Sequence, residues 1–492
     1  MDVCSLPDDI LRLVLRRCIE YHYVSKEKFK ANVRMSVSDG AGNAKVETNL
    51  DQVVSVGCLG TVKRVVLTVF HDGSPFPAID AVMEMMRAAA EEWTGARELL
   101  ISLIPCGNTF RGVFDVSRHD AEFRRISAAL AALLPGLRRL RLDGKDNNSV
   151  CRGLYGRLVE FYASQLHELH TWHPFTADPS CVFKQLRSVW FNYDDATGYQ
   201  LPRMDPARLE ALTLRYWPAR HSWAPLCMNS GANEIVFPCL TELNAHCHEN
   251  SCPLLEYAVL PAQVDDICLN LSVPILQAAA NMAIAATKRL SIKIVIGYNR
   301  GDAAVLVAEL TAALAAANSL FENSREAEEL ELYTNCRWIT MDPKYIAFTL
   351  LTRLGVSPIT SVDTMLVLIQ KLPRLTHLSF ECVSMEDIQA DLSVPDPGEN
   401  GCAEPLGTRI QHMIVNIDQN EPSWMNIVPV LKCLMLRIPT LAQLSAIQAP
   451  AKPVLEVVSA YGQQYPHLAG IKLGLNDSDD PFACKGSRDS FW

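Results

Sequence analysis

The chain has 492 residues, of which 49% are hydrophobic and 20% are charged, a composition that excludes large-scale disorder. Its formal net charge is -10 and it contains no basic tract, so nucleic acid is not an expected partner. No apolar stretch reaches the roughly 20 residues needed to cross a bilayer, so we expect no membrane association.

Cysteine usage indicates the compartment. The 16 cysteines are scattered, and Cys18, Cys58, Cys268 and Cys433 lie within apolar stretches, where a free thiol behaves as a small hydrophobe. The first nine residues are polar and acidic, unlike a secretory signal. We therefore expect a reducing compartment, the cytoplasm or the nucleus.

The first predicted element is a short helix between Ser5 and Tyr21. Ser5 suits the N-cap, Pro7 suits the first turn, and Asp8 occupies the acidic position of a capping box. We assign this helix and the polar stretch after it to an N-terminal segment, residues 1–55. Within that stretch, the glycine-rich residues 39–43 predict a turn.

This helix resembles the opening of an F-box, a family that begins with Leu-Pro, two polar or acidic residues and an apolar helix. The matching residues are Leu6, Pro7, Ile10, Leu11 and Val14. The resemblance implies that they bind the Skp-type adaptor of a cullin ubiquitin ligase. The arginine–tryptophan element of the family's second half is missing, because no tryptophan precedes Trp93. The alternative interpretation is a helix that only caps the first repeat.

A six-residue pattern then recurs: apolar, two variable, apolar, one variable, apolar. Full copies are Val62/Val65/Leu67, Ala96/Leu99/Ile101, Leu137/Leu140/Leu142, Leu186/Val189/Phe191, Leu209/Leu212/Leu214, Val264/Ile267/Leu269, Ala327/Leu330/Leu332, Leu375/Leu378/Phe380, Ile410/Met413/Val415, Leu431/Leu434/Leu436 and Leu468/Ile471/Leu473, and weaker ones are Leu166/Leu169, Leu240/Leu243 and Thr287/Leu290/Ile292. The last two apolar positions lie on one side of a strand. Each copy therefore predicts a strand whose apolar edge is buried only when neighbouring units stack.

Helices are predicted between these strands from apolar residues at spacings of three and four. They cover residues 79–93, 123–134, 306–314, 342–355 and 365–372. The fourth is bounded by Asp342 as N-cap and Gly355 as stop. Two helices end at a proline just before the next strand, at Pro135 and Pro373, because proline cannot continue a helix.

The alternation of these strands and helices resembles the irregular leucine-rich-repeat proteins found in fungi and other eukaryotes. The resemblance covers residues 56–475 and implies an α/β solenoid, an uneven horseshoe of βα units. The Asn that the family places after the last apolar position occurs only at Asn335 and Asn476. The alternative is a doubly wound α/β fold, disfavoured by the number of units, about a dozen, and by the lack of a glycine-rich turn. Residues 476–492 are predicted to be a flexible tail.

Motifs that carry chemistry are absent from the sequence. It contains no phosphate-binding loop, no nucleophile elbow and no complete zinc-protease motif; His167-Glu168-Leu169-His170 is one residue short of the last. The best metal candidate, His246-Cys247-His248 near Cys239 and Cys252, lacks paired spacing, so we favour ordinary loop residues there. We predict no catalytic, metal-binding or cofactor-binding residue.

Two other stretches offer possible partner contacts. The aromatic group of Trp190, Tyr216, Trp217 and Trp223 fits packing between repeats better than a partner surface. Residues 393–407 predict a loop inserted between repeats, most simply an idle linker.

The leading functional hypothesis is a substrate-recognition subunit of a cullin-type ubiquitin ligase. In it, the Leu6–Val14 helix binds the adaptor and the repeat array binds a target protein. The alternative is a stand-alone scaffold that uses the same array without a ligase. In both hypotheses the chain is not an enzyme.

Overall fold

The structure is a computed structural model, and its main feature is a set of parallel strands paired in register. It describes residues 31–40, 43–50, 62–71, 75–90, 93–105, 119–144, 149–172, 178, 181–192, 203–215, 235–247, 258–272, 276–277, 279, 284–295, 312, 315–317, 319–334, 348, 350–357, 360–385, 388–389, 391–395, 403–406, 409–417, 427–447 and 451–476. The chain divides into unit 1, residues 1–240 with 257–259, and unit 2, residues 241–256 with 260–492. The N-terminal helix with Leu6, Pro7, Ile10, Leu11 and Val14 and the tail after Asn476 lie outside the described residues.

Unit 1 contains one parallel ladder and two short strand pairs. Its strands are β1 (Ala31–Gly40), β2 (Asn43–Thr48), β3 (Val62–His71), β4 (Glu98–Pro105), β5 (Arg139–Gly144), β6 (Glu168–Thr171), β7 (Val182–Phe183), β8 (Ser188–Asn192), β9 (Arg203–Met204), β10 (Ala211–Arg215), β11 (Ile235–Val236) and β13 (Ala258–Val259). Strands β1, β3, β4, β5, β6, β8 and β10 pair in this order, all in parallel. Strand β7 pairs with β9, and β11 with β13.

The first strands lie inside the predicted N-terminal segment. Strands β1 and β2 form an antiparallel hairpin in which Gly40 is opposite Asn43, so the predicted turn is confirmed. Because β1 also pairs with β3, the parallel ladder begins before residue 56. The sequence pattern missed this strand.

Unit 2 continues the same arrangement in its own ladder. Its strands are β12 (Glu242–Cys247), β14 (Gln263–Ser272), β15 (Ala285–Val295), β16 (Glu329–Thr334), β17 (Arg353–Val356), β18 (Thr360–Ser361), β19 (His377–Ser384), β20 (His412–Ile417), β21 (Gln443–Ile447) and β22 (Lys472–Asn476). Apart from the two-residue β18, which pairs with β19, each of these strands pairs in parallel with the next in the chain. The predicted α/β class with a large parallel sheet is therefore confirmed.

The hexapeptide pattern fixes the register of both ladders. In unit 1 the fourth positions align as Val33, Val65, Leu99, Leu140, Leu169, Val189 and Leu212, and the sixth positions as Met35, Leu67, Ile101, Leu142, Thr171, Phe191 and Leu214. In unit 2 the fourth positions align as Leu243, Ile267, Leu290, Leu330, Leu354, Leu378, Met413, Leu444 and Leu473. All of these residues except Leu473 are buried. One face of each ladder is therefore the apolar core.

Two copies of the pattern were assigned wrongly. Leu431, Leu434 and Leu436 lie in a helix and not in a strand. The spacing does not distinguish the two, because a helix that is buried on most sides also has apolar residues three and five apart. The strand there uses Leu444, which is opposite Leu473 in β22. Leu473 is therefore a fourth-position residue, and the predicted Leu468/Ile471/Leu473 copy is out of register by two.

Described helices of eight residues or more connect some of the strands. They are α1 (Phe76–Ala89), α2 (Asp120–Leu133) and α3 (Ser149–Tyr162) in unit 1, and α4 (Val362–Lys371), α5 (Ile427–Arg437) and α6 (Ala451–Tyr461) in unit 2. The helices predicted at 79–93, 123–134 and 365–372 are confirmed in α1, α2 and α4, although α1 ends before Trp93. Helices α2 and α4 stop before Pro135 and Pro373, as predicted. No helix among the described residues is long and apolar enough to cross a membrane.

The predicted helix at 342–355 is wrong at its C-terminal end. Gly355 is a buried residue of β17, where it is opposite Glu331 of β16 and Ser379 of β19. Leu354 and Val356 fill the fourth and sixth positions there, so this is a further copy that the pattern search missed. Gly355 is therefore a strand residue and not a helix stop.

Candidate partner-binding surface

The strand residues between the core positions form a second face of the unit 1 sheet, which we call the open face. Side chains alternate along a strand, so residues in the third and fifth pattern positions lie opposite the core. The third positions are Arg64, Glu98, Arg139, Glu168, Ser188 and Ala211, and the fifth positions are Val66, Leu100, Arg141, His170, Trp190 and Thr213. Apart from Glu98, these side chains are partly exposed.

Three aromatic rings gather on this face and form what we call the aromatic cluster: His170, Trp172 and Trp190. The ring of Trp190 is 4.2 Å from that of His170 and 4.4 Å from that of Trp172, both edge to face. Trp172 follows β6, and its amide N donates to the carbonyl of Leu142 in β5, which extends the ladder by one residue. Trp172 is 40% exposed and the other two residues are partly exposed, so part of the cluster's aromatic surface faces solvent.

Charged side chains adjoin the aromatic cluster. Glu98 is only 7% exposed, and its Oε1 lies 3.3 Å from Arg64 Nε and 3.2 Å from Arg141 Nε. Arg139 and Glu168 form a further pair, with Nε and Oε1 2.8 Å apart. The shared carboxylate of Glu98 fixes two arginines on the open face and leaves this trio with a net positive charge.

A groove of about 420 Å³ lies at the N-terminal ends of the unit 1 strands. Its lining residues are His167, Gln185, Arg187, Ala207, Arg208, Glu210 and Cys239. His167 Nε2 lies 3.0 Å from Gln185 Oε1, and Arg187 Nη1 donates to Glu210 Oε1 at 3.0 Å. The lining of the groove therefore combines an ion pair and hydrogen-bonding groups with apolar surface.

The second face of the unit 2 sheet is also polar, but its contacts are different. Arg289 Nη2 donates to both carboxylate oxygens of Glu331 at 2.9 Å. Glu331 is 5% exposed whereas the Arg289 side chain is 43% exposed, so the carboxylate of this pair is removed from water and the arginine is partly hydrated. Asn270 Nδ2 lies 2.9 Å from His246 Nδ1, which gives the ring of His246 a structural partner.

Acidic groups crowd the first strands of unit 2. Burial raises the pKa of the Glu242 carboxyl, and the negative charges of Asp266 and Asp265 raise it further. Asp265 is held by Lys288 Nζ at 2.7 Å and by Thr287 Oγ1 at 2.9 Å. Asp265 in β14 is thus tied to two consecutive residues of β15.

Two histidines stack on neighbouring strands of unit 2. The rings of His377 in β19 and His412 in β20 are 4.5 Å apart and inclined by only 16°. Burial lowers the pKa of His377, and the nearby His412 and Arg353 lower it further. The folded chain therefore favours the neutral form of His377.

This stack predicts acid sensitivity. A histidine whose pKa is lowered by folding adds stability above its unfolded pKa, near 6.5, and that stability is lost as the pH falls through the folded pKa. We expect the melting temperature to fall between about pH 7.5 and about pH 5.5, and to fall less in His377→Gln than in wild type. The control is His467→Gln, since His467 bonds the Met435 carbonyl away from the stack. Equal pH slopes in all three proteins would contradict the expectation.

For two of the described cysteines, burial favours the neutral thiol. Burial raises the pKa of Cys181 to about 11, and Glu160 and Asp178 add to the effect. Burial likewise raises the pKa of Cys433. Among the residues that the structure describes, no three His, Cys, Asp or Glu side chains are placed to hold a metal ion.

The structure separates the residues that the sequence singled out. Trp190 belongs to the open face, whereas Tyr216, Trp217 and Trp223 lie outside the described residues. His246 and Cys247 are in β12, while His248 and Cys252 also lie outside. His167 lines the groove and His170 joins the aromatic cluster, so the pair does not act as one site. In the inserted loop, the amide N of Ala403 donates to the Tyr465 hydroxyl at 2.7 Å.

Sequence reasoning missed the aromatic cluster. Trp172 and Trp190 come from different repeats, and only the register of β6 with β8 makes them neighbours. A signal was present, since Trp190 occupies the fifth position of its hexapeptide, between two core residues. Aligning the fifth positions of all copies would have placed it on the open face.

Comparison with known proteins assigns no family. No protein-family model matches the chain, and no curated protein matches it significantly.

Proposed function

We propose that the chain is a leucine-rich-repeat protein that binds a target protein through the open face of unit 1 and is joined to a cullin-type ubiquitin ligase by its N-terminal helix. The observation that carries the binding role is the aromatic cluster beside the Glu98 arginine pair. Tryptophan and arginine dominate binding energy at protein interfaces.

The repeat assignment is supported by the order of the ladders. In each unit the main strands pair in chain order, with no reversal of order. A doubly wound sheet reverses its strand order at a switch point and is covered by helices on both faces. A solenoid needs neither, and it leaves one sheet face available for a partner.

The ligase association is supported by the sequence alone. Leu6, Pro7, Ile10, Leu11 and Val14 fit the first helix of an F-box. That helix precedes the ladder in the chain, which is the order of adaptor-binding and target-binding parts in that family. The transfer chemistry would belong to other subunits of the ligase.

The test is binding of the full chain to a purified Skp-type adaptor. We expect the wild type to retain the adaptor and Leu11→Asp to lose at least about tenfold in affinity, because a carboxylate buried without a partner costs more than about 1.4 kcal/mol. Arg12→Asp is the matched control. It adds the same group on the polar side of the helix and should bind as wild type does.

The stand-alone scaffold is the second candidate. It is favoured by the incomplete F-box, which lacks the tryptophan element. Failure of the wild-type chain to retain the adaptor would reject the ligase association in favour of the scaffold. Equal losses in Leu11→Asp and Arg12→Asp would also count against a specific helix contact.

A further inference from the structure

Four basic residues and one histidine stand side by side where the unit 1 strands begin. They occupy the second position of successive hexapeptides, and we call them the basic edge: Lys63, Arg97, Arg138, His167 and Arg187. Their backbones are joined directly, because each amide N donates to the carbonyl of the one before it, at 2.9, 2.8, 2.8 and 2.8 Å. Residues that are far apart in the chain thus form one continuous row.

Most of these positive charges are not neutralised. Arg97 Nη1 donates to the Gly136 carbonyl at 2.8 Å, and Arg138 Nη1 donates to the Gln165 carbonyl and to Gln185 Oε1. These acceptors carry no net charge. In the part of the chain that the structure describes, the one carboxylate paired with the basic edge is Glu210, on Arg187.

The fold does not require basic residues at this position. In the unit 2 ladder the residues joined by the same backbone bonds include Lys288, Glu328, Thr352, Thr376, Gln411 and Ala442. One of these is basic, one is acidic and four are uncharged. The row is basic over these five strands of unit 1, and Glu210 holds the same place on the next strand, where its amide N donates to the Arg187 carbonyl at 2.7 Å. The basic edge opposes the net charge of -10 of the whole chain.

We propose that the basic edge binds an acidic, extended segment of the target protein, laid across the strands. Neighbouring strands are about 4.8 Å apart, so the row spans about 19 Å, or about six residues of extended peptide. This inference rests on the proposed protein-binding function and names the chemistry of the partner.

The neighbouring acidic residues favour a peptide over a nucleic acid. Glu98 and Glu168 alternate with Arg64 and Arg139 in the next row, and Glu210 closes the groove. A phosphate backbone carries a charge at every step and would meet these carboxylates. A peptide can place its acidic residues opposite the arginines and uncharged residues elsewhere, with an apolar one near the aromatic cluster.

The test measures fluorescence anisotropy of labelled eight-residue peptides on the full chain. One peptide carries four carboxylates and a leucine, and its partner carries four lysines instead. We expect the acidic peptide to bind, to weaken as salt rises, and to bind about tenfold more weakly to Lys63→Gln/Arg187→Gln. The control Arg87→Gln/Arg124→Gln removes the same charge from the helices α1 and α2 and should bind as wild type does.

Several results would overturn the inference. They are no binding of the acidic peptide, equal binding of the lysine peptide, equal losses in both double variants, or tighter binding of a single-stranded RNA through the same residues. Salt-sensitive self-association through Lys63 and Arg187 would assign the basic edge to a second copy instead. Adaptor binding is measured on the same samples. If the adaptor binds and the peptide does not, this inference fails alone; if the peptide binds and the adaptor does not, the ligase association fails alone.

Discussion

Replacing Leu99 with alanine is expected to cost about 3 kcal/mol, whereas the same change at Leu100 should cost less than about 1 kcal/mol. These two leucines are consecutive in β4 and point to opposite faces. Leu99 is completely buried between Val65 and Leu140 in the fourth-position row, while Leu100 is partly exposed on the open face. The comparison holds side chain and strand constant and changes only the face.

The measurement is urea unfolding of the full chain, monitored by circular dichroism, with thermal unfolding as a second reading. The alanine at residue 99 leaves a cavity that close-packed neighbours fill only in part, so both midpoints should fall. Equal losses in the two variants would mean that both faces are core. That result would remove the open face on which the proposed function depends.

Replacing Arg289 with alanine is expected to destabilise unit 2 by about 2–4 kcal/mol. The change leaves the carboxylate of Glu331 buried without its bidentate partner, and desolvation of an unpaired charge is costly. The matched control is Lys288→Ala at the preceding residue. Lys288 also pairs with a carboxylate, Asp265, but both side chains are well exposed, so the loss of stability should be far smaller than in Arg289→Ala.

A second substitution separates charge from packing. Adding Glu331→Gln to Arg289→Ala removes the buried charge while keeping the shape of the side chain. We expect the double variant to recover at least half of the lost stability, measured as the midpoint of urea unfolding. If Arg289→Ala and Lys288→Ala prove equally mild, the carboxylate of Glu331 is better hydrated than its burial indicates.

The core of the sheet could be predicted because its signal is local. Two apolar residues in alternate positions suffice to mark a strand, and Leu140 with Leu142 or Leu378 with Phe380 does so without knowledge of the rest of the chain. The same brevity explains the errors. The spacing of Leu431, Leu434 and Leu436 also suits a buried helix. A glycine such as Gly355 can end a helix or lie within a strand, and here it lies within a strand.

The surface could not be predicted in the same way. Arg97 and Arg138 are neighbours only because their strands pair in register, and nothing near either residue indicates the other. The sequence showed Arg138, Arg139 and Arg141 as one short cluster. The register distributes them instead: Arg138 belongs to the basic edge, whereas Arg139 and Arg141 lie on the open face.

The pairing of successive strands in chain order bears on how the protein is made. Parallel sheets are usually slow to assemble, because distant segments must meet before any contact rewards them. Within each unit, the partner of a newly synthesised strand has already left the ribosome, so the sheet can assemble strand by strand during translation. An early stop codon within unit 1 should then leave the earlier repeats folded but with an uncovered, aggregation-prone last strand.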